Sequence, residues 1–155
     1  SRTQNKQFWA DACGYKFKMS NVQAAIGCAQ LSRVDELVAK KQNILAYYIS
    51  GLSDLPYISM NSNDPQNISG AWMPNVVFSK HSNILSEHLL ELFQINNIDA
   101  RRFFWPLSSQ PMFEECRGNV WSYDIAQRSI NLPSFHDIKQ SEMDKVISLI
   151  KSIRK

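Results

Sequence analysis

Between Asn21 and Ser50 the apolar residues Val22, Ile26, Ala29, Val34, Leu37, Val38, Leu45, Tyr48 and Ile49 recur at helical spacing. Ser20 stands just ahead of them, and Gln23 follows three residues later, where its side chain can return to the Ser20 backbone. The pattern predicts one long helix from about Asn21 to about Ser50, with Gly51 as its stop. The chain has 155 residues, enough for one domain with a core. A helix of that length is more than such a domain covers alone. Its apolar side calls for something to pack on outside the chain.

The remainder reads as short elements. Tyr57–Met60 predicts a strand, and the Asn-, Ser-, Asp- and Pro-rich stretch from Asn61 to Gly70 a loop. Ala71–Ser79 predicts a second strand around Val76-Val77-Phe78, with Pro74 favouring an edge or a bulge. Asn83–Phe93 reads as a helix, Asp99–Trp105 as a third strand closed by Pro106, Asn119–Gln127 as a short helix and Ser129–Leu132 as a short strand. The last helix is expected to begin at a second capping box, Ser141 with Asp144, and carries Met143, Val146, Ile147, Ile150 and Ile153. This order implies an α+β fold: a long helix plus a small antiparallel or mixed sheet with helices on one face.

Composition narrows the function. The net charge of +3 comes from 17 basic and 14 acidic side chains, too small and scattered a surplus for nucleic acid. Lys40-Lys41 and the cluster Lys151, Arg154 and Lys155 read as solvated helix faces. The three cysteines, Cys13, Cys28 and Cys116, are an odd and sparse set, which argues against a disulfide scaffold and fits a reducing cytoplasm. His81, His88 and His136 have no cysteine or carboxylate at ligand spacing, so no metal site is expected. Asn67-Ile68-Ser69 matches a glycosylation sequon by chance. No signal peptide and no long apolar span is legible, which leaves no membrane role. The polar start, Ser1 to Gln7, lacks Met and leads into Phe8-Trp9, as a cut inside a longer chain would.

Two segments carry chemistry. In Gly14-Tyr15-Lys16-Phe17-Lys18-Met19-Ser20-Asn21, Lys16 and Lys18 precede a positively polarised helix start. That is either a tight turn with a helix cap or an anion site. In Arg101-Arg102-Phe103-Phe104-Trp105-Pro106, strand alternation sets Arg101, Phe103 and Trp105 on one face and Arg102 and Phe104 on the other. Guanidinium and aromatic groups on one face would clamp a phosphorylated ligand; equally, they would make a sheet edge with an exposed Arg over a buried aromatic. Cys116, in Glu114-Glu115-Cys116-Arg117, has no motif around it, and the five glycines form no phosphate loop.

Gly14–Gln30 resembles the Gly-Tyr-Asn-Tyr-Arg-Met-Ser-Asn…Gln-Ala-Ala-hydrophobic-Gly segment of the DegT-type sugar aminotransferases. Ala100–Gln110 resembles their Thr-Arg-x-Phe-Phe-Tyr-Pro-Leu-His segment, in the perosamine-synthase-like branch, and Ile130-Asn131-Leu132-Pro133-Ser134 with the final helix is similar to their C-terminal ending. The resemblance implies pyridoxal-phosphate enzymes of the aspartate-aminotransferase fold (type I). These move an amino group, usually from glutamate, to a keto sugar nucleotide, and work as homodimers with sites at the subunit interface. Their products serve amino-sugar, surface-polysaccharide and O-antigen synthesis. It implies that residues 1–155 are the C-terminal small domain with its leading helix. The large domain, with the Schiff-base lysine and the Asp that pairs with the pyridine nitrogen, is expected to be missing. The chain alone would then be inactive, and no catalytic residue is assigned in it. By position, Tyr15, Lys16 and Lys18 would approach a partner subunit's cofactor phosphate, and Arg101, Trp105 and Ser108 the substrate. Lys16 stands where the family more often has Asn, which changes the hydrogen-bond pattern there, and Lys18 where it has Arg, which keeps the charge without the bidentate fork; Ser108 stands where the family often has His, so a substrate or subgroup difference is expected. The competing reading, favoured by the missing lysine, is a non-catalytic interaction or sugar-nucleotide-binding module.

Overall fold

The computed structural model describes residues 7–153 apart from 63 and 65. The polar start through Lys6, and Arg154 and Lys155 of the basic cluster, lie outside the described residues. In chain order the elements are α1 (Asn21–Leu31), α2 (Val34–Leu52), β1 (Ile58–Met60), β2 (Asn75–Phe78), α3 (Ser86–Ile95), β3 (Arg101–Arg102), α4 (Val120–Gln127), β4 (Ser129–Asn131) and α5 (Gln140–Ser152). The fold is α+β. The sheet has the order β1-β2-β4-β3, and every pairing is antiparallel.

The single long helix expected from residue 21 to residue 50 is two helices. The capping box at Ser20 forms as the sequence requires: Gln23 N–H donates to Ser20 Oγ at 3.3 Å, and Ser20 N–H to Gln23 Oε1 at 2.8 Å. The break comes at Ser32-Arg33. Ser32 Oγ–H donates back to the Ala29 carbonyl at 2.9 Å, a local bond that competes with the helix ladder. Arg33 N–H then closes a tighter turn onto Gln30, and Arg33 leaves helical geometry at φ −126°, ψ 18°.

Gly51 is also not a stop. It lies inside α2, which runs on to Leu52. A Cβ at Gly51 would sit 2.5 Å from Ile147 Cδ1 of α5, so the glycine is what lets these two helices touch.

The core lies where α2, α3 and α5 cover one face of the sheet. Tyr48 and Leu52 from α2, Val76 and Phe78 from β2, Leu89 and Phe93 from α3, Ile130 from β4 and Val146 and Ile150 from α5 are buried together. Along β2, burial alternates, with Val76 and Phe78 inward. β4 lies between two neighbours and is buried at all three positions. Its Asn131 side chain is held by donating from Nδ2 to the Arg102 carbonyl at 3.0 Å. Tyr48 is wholly buried, and its hydroxyl donates to the Pro133 carbonyl at 2.9 Å. Burial raises the tyrosine's pKa well above its ordinary value.

Other boundaries move for local reasons. Pro74 precedes β2 rather than interrupting an edge strand; β2 is interior, and the Pro74 carbonyl extends the ladder by accepting from Leu132 N–H at 2.9 Å. Asn83 takes a left-handed conformation, φ 53°, after a single 3-10 turn, so α3 starts at Ser86 and not at Asn83. The second capping box is displaced. Lys139 is the N-cap of α5, and its N–H donates to Glu142 Oε2 at 2.7 Å. Lysine has no side-chain acceptor, so only this half of the reciprocal cap is available. Asp144, expected in that box, instead accepts the Tyr47 hydroxyl at 2.6 Å.

Candidate cofactor and substrate site

The two segments singled out in the sequence differ sharply in setting. Residues 11–20 form an extended arm leading into α1, and residues 11–36 are all exposed. Tyr15 is 93% exposed and Phe17 88%, and none of the eleven residues of α1 is buried. Lys16 and Lys18 project from this arm with the helix start behind them. No acidic side chain occupies the first turn of α1. A phenol and two ammonium groups near a helix N-terminus suit a phosphate monoester, which takes hydrogen bonds and positive charge together. Val22, Ile26, Leu31 and Val34 are exposed on the helices that follow, a run of apolar surface of the kind that marks an interface.

The second segment is not one ligand-binding face. β3 ends at Arg102, so alternation does not carry on to Trp105. Arg102, and not Arg101, meets the Trp105 ring, with its guanidinium carbon 4.0 Å from the ring centroid. Arg102 also pairs with Glu87 of α3 at 2.9 Å. Trp105 Nε1–H donates to the Gln7 carbonyl at 2.9 Å, and Trp9 meets the Trp105 ring edge-on at 5.4 Å. Trp105 is therefore engaged inside the protein. Arg101 is exposed, 3.3 Å from Asp99. It lines a cavity of about 620 Å³ together with Asn131, Ser134, Phe135 and Lys145. Trp105 and Ser108 do not line that cavity. The Ser108 hydroxyl lies 3.0 Å from the Tyr123 hydroxyl and accepts from Asn119 Nδ2 at 3.2 Å, which ties its turn to α4. Of the three residues expected at the substrate, only Arg101 faces open space of ligand size.

The cavity has two further polar features. Asn131 is 2% exposed, and its Oδ1 has no hydrogen-bond partner. Ser134, another lining residue, accepts at its carbonyl from Lys41, which lies outside the lining and whose ammonium pKa is lowered by burial. Asn131 and Gln7 received no individual role from the sequence, because a short strand and a polar leader carry no pattern that assigns one. Arg102 stands at the variable position of its motif. Among the described residues no group of three or more His, Cys, Asp or Glu side chains is arranged to hold a metal ion. No helix among them is long and apolar enough to cross a membrane.

An antiparallel sheet under three helices is a fold shared with solved sugar aminotransferases. The chain belongs to the DegT/DnrJ/EryC1/StrS aminotransferase family, whose model matches residues 1–151. It is 29% identical over 150 residues to GDP-perosamine synthase of Vibrio cholerae, an alignment covering 95% of this chain and 41% of that enzyme. Among solved structures it is similar to DesV of S. venezuelae, in complex with a ketimine intermediate, at TM-score 0.76 and 17% identity over 98% of this chain and 41% of that one. It is also similar to E. coli GDP-4-keto-6-deoxy-D-mannose-3-dehydratase with bound hydrated PLP, at TM-score 0.69 and 15% identity over 88% and 36% of the two chains. The chain thus spans about two fifths of the length of the curated relatives it matches, and it corresponds to their C-terminal portion.

Proposed function

We propose that this chain is the small-domain part of a pyridoxal-phosphate-dependent aminotransferase. The whole enzyme transfers an amino group from glutamate to a keto sugar nucleotide, in the cytoplasm, for the amino sugars of surface polysaccharide such as O-antigen. The observation that carries this reading is the family match over residues 1–151, seconded by likeness to a GDP-perosamine synthase over 95% of the chain. The exposed arm and α1 support it from the structure, since both present surface suited to another domain and a second subunit.

When bound, pyridoxal phosphate supplies the electron sink and carries the amino group. The contribution of this chain is positional. Lys16 and Lys18 supply positive charge and Tyr15 a hydroxyl to the cofactor phosphate of the partner subunit in a homodimer. Lys18 does so as a point charge, without the two-pronged contact an arginine makes. Arg101, lining its cavity, meets the anionic part of the nucleotide sugar. Ser108 offers a neutral hydroxyl where the family often presents an imidazole, so no proton transfer is assigned to it. The covalent lysine belongs to the large domain, and the chain by itself does not transaminate.

The test uses the full-length gene product with pyridoxal phosphate, glutamate and a GDP-linked 4-keto-6-deoxy sugar. The expected products are 2-oxoglutarate and an amino-sugar nucleotide, resolved by mass spectrometry. No cofactor binding and no 2-oxoglutarate from the full-length protein would refute the enzymatic reading in favour of a non-catalytic module.

A further inference from the structure

Residues 7–9 form the root of the cationic arm, and they are pinned to the segment after β3 by contacts of several kinds. Arg102 N–H donates to Gln7 Oε1 at 3.0 Å, and Trp105 Nε1–H donates to the Gln7 carbonyl at 2.9 Å. Phe8 packs on Phe104 at 5.0 Å between ring centroids, and Trp9 meets Trp105 at 5.4 Å. Phe8 also holds φ 60°. For a bulky side chain this is a disfavoured conformation, which persists only where surrounding contacts impose it.

The anchor of this cluster is Arg102. Its side chain is only 12% exposed, stacked on Trp105 and paired through Nη2 with Glu87 Oε1 of α3 at 2.9 Å. One guanidinium therefore holds the indole that holds the arm's root, and references it to the core through α3. A neutral side chain at this variable motif position would leave the Trp105 face uncovered and Glu87 without its partner.

We propose that Arg102 is a positioning residue: with Glu87, Trp105 and Gln7 it latches the root of the arm, so that Tyr15, Lys16 and Lys18 are presented in one place to the partner's cofactor phosphate. This rests on the proposed function. An arm whose root is free is competent only part of the time, and apparent affinity falls by that fraction.

The experiment uses the full-length enzyme with Arg102→Met, Trp105→Phe and Lys18→Ala. Pyridoxal phosphate affinity is read by absorbance titration, and amide hydrogen exchange is followed at residues 8–13. Arg102→Met and Trp105→Phe are each expected to raise the cofactor Kd about tenfold, the result of an arm competent about one tenth of the time. Both are expected to speed exchange at residues 8–13, with kcat recovering at saturating cofactor. Arg102→Lys keeps the charge and loses the planar guanidinium that stacks on Trp105, and should fall between wild type and Arg102→Met. A lowered Tm with unchanged cofactor Kd would overturn the proposal, because Arg102 would then serve folding alone. Trp105→Phe keeps an aromatic face for Arg102 while losing the N–H donor and the pyrrole ring that carries it, and it decides the matter if Arg102→Met fails to fold. If Lys18→Ala weakens cofactor binding and the latch variants do not, the latch is wrong and the proposed function stands. If wild type binds no cofactor, the proposed function itself fails.

Discussion

Gly51→Ala tests the contact on which the α2–α5 packing depends. A Cβ at Gly51 would lie 2.5 Å from Ile147 Cδ1, 3.2 Å from Cγ1 and 3.4 Å from Cγ2. Alanine in a helix gains at most about 1 kcal/mol over glycine. Forcing a methyl into a filled space costs about 1–3 kcal/mol. Turning Cδ1 about χ2 does not clear the site, because Cγ1 at 3.2 Å and Cγ2 at 3.4 Å are held by a stiff β-branched χ1 and Ile147 belongs to the buried core. The cost therefore wins, and we expect a net loss of about 1 kcal/mol, or about 2–4 °C in Tm. Ile147→Val removes Cδ1 and costs about 0.5–1.5 kcal/mol alone. In the double variant the closest contact is gone and the helix propensity gain remains, so the pair should couple favourably by about 1–2 kcal/mol. Urea unfolding of the wild type, both single variants and the double variant completes the cycle. The reasoning is refuted if Gly51→Ala is stabilised, or if the double variant equals the sum of the two.

Other perturbations probe other parts of the molecule. Ile26→Glu on α1 should reduce self-association and binding of a hydrophobic dye by the isolated chain, since Ile26 is 59% exposed on an unburied helix; gel filtration checks it, and unchanged behaviour would show that this face is not adhesive. Tyr48→Phe removes the donor to the Pro133 carbonyl and should cost about 1–2 kcal/mol by urea titration. Because burial raises the Tyr48 pKa, wild-type stability should fall as pH rises past about 10, where the unfolded tyrosine ionises first, and Tyr48→Phe should lose that share of the fall. The Arg128 hydrogen bond, with help from Lys80, holds the Asp124 carboxyl below its usual range. Its stabilising share is present above the ordinary carboxylate pKa of about 4 and disappears as pH drops through the lower folded value, so Asp124→Asn should flatten the acid limb of a Tm–pH profile.

Much of the fold was legible because it follows from local rules. The Ser20–Gln23 capping box needs only four consecutive residues, and it formed as read. The inward faces of β2 and α5 follow from alternation and helical periodicity. The helix break at Ser32-Arg33 was hidden because apolar spacing continues across it, while a serine's bond to its own backbone leaves no mark on that spacing. Gly51 read as a stop because glycine ends helices often, yet its reason lies in Ile147, almost a hundred residues away in sequence.

The sequence by itself determined the family and the α+β class, and it set which groups the arm carries, since these rest on residue identities in fixed order. Only the tertiary structure decided which arginine does what. A strand of two residues replaced the one expected from Asp99 to Trp105, so alternation no longer assigned the side chains. Arg101 was left lining a cavity, and Arg102 was turned onto Trp105 and Glu87. Those partners come from α3, from the segment after β3 and from residues 7–9, and no spacing along the chain encodes their meeting. The physical reason is that periodicity reports only neighbours within an element, whereas a latch or a cavity is made by side chains that different elements bring together.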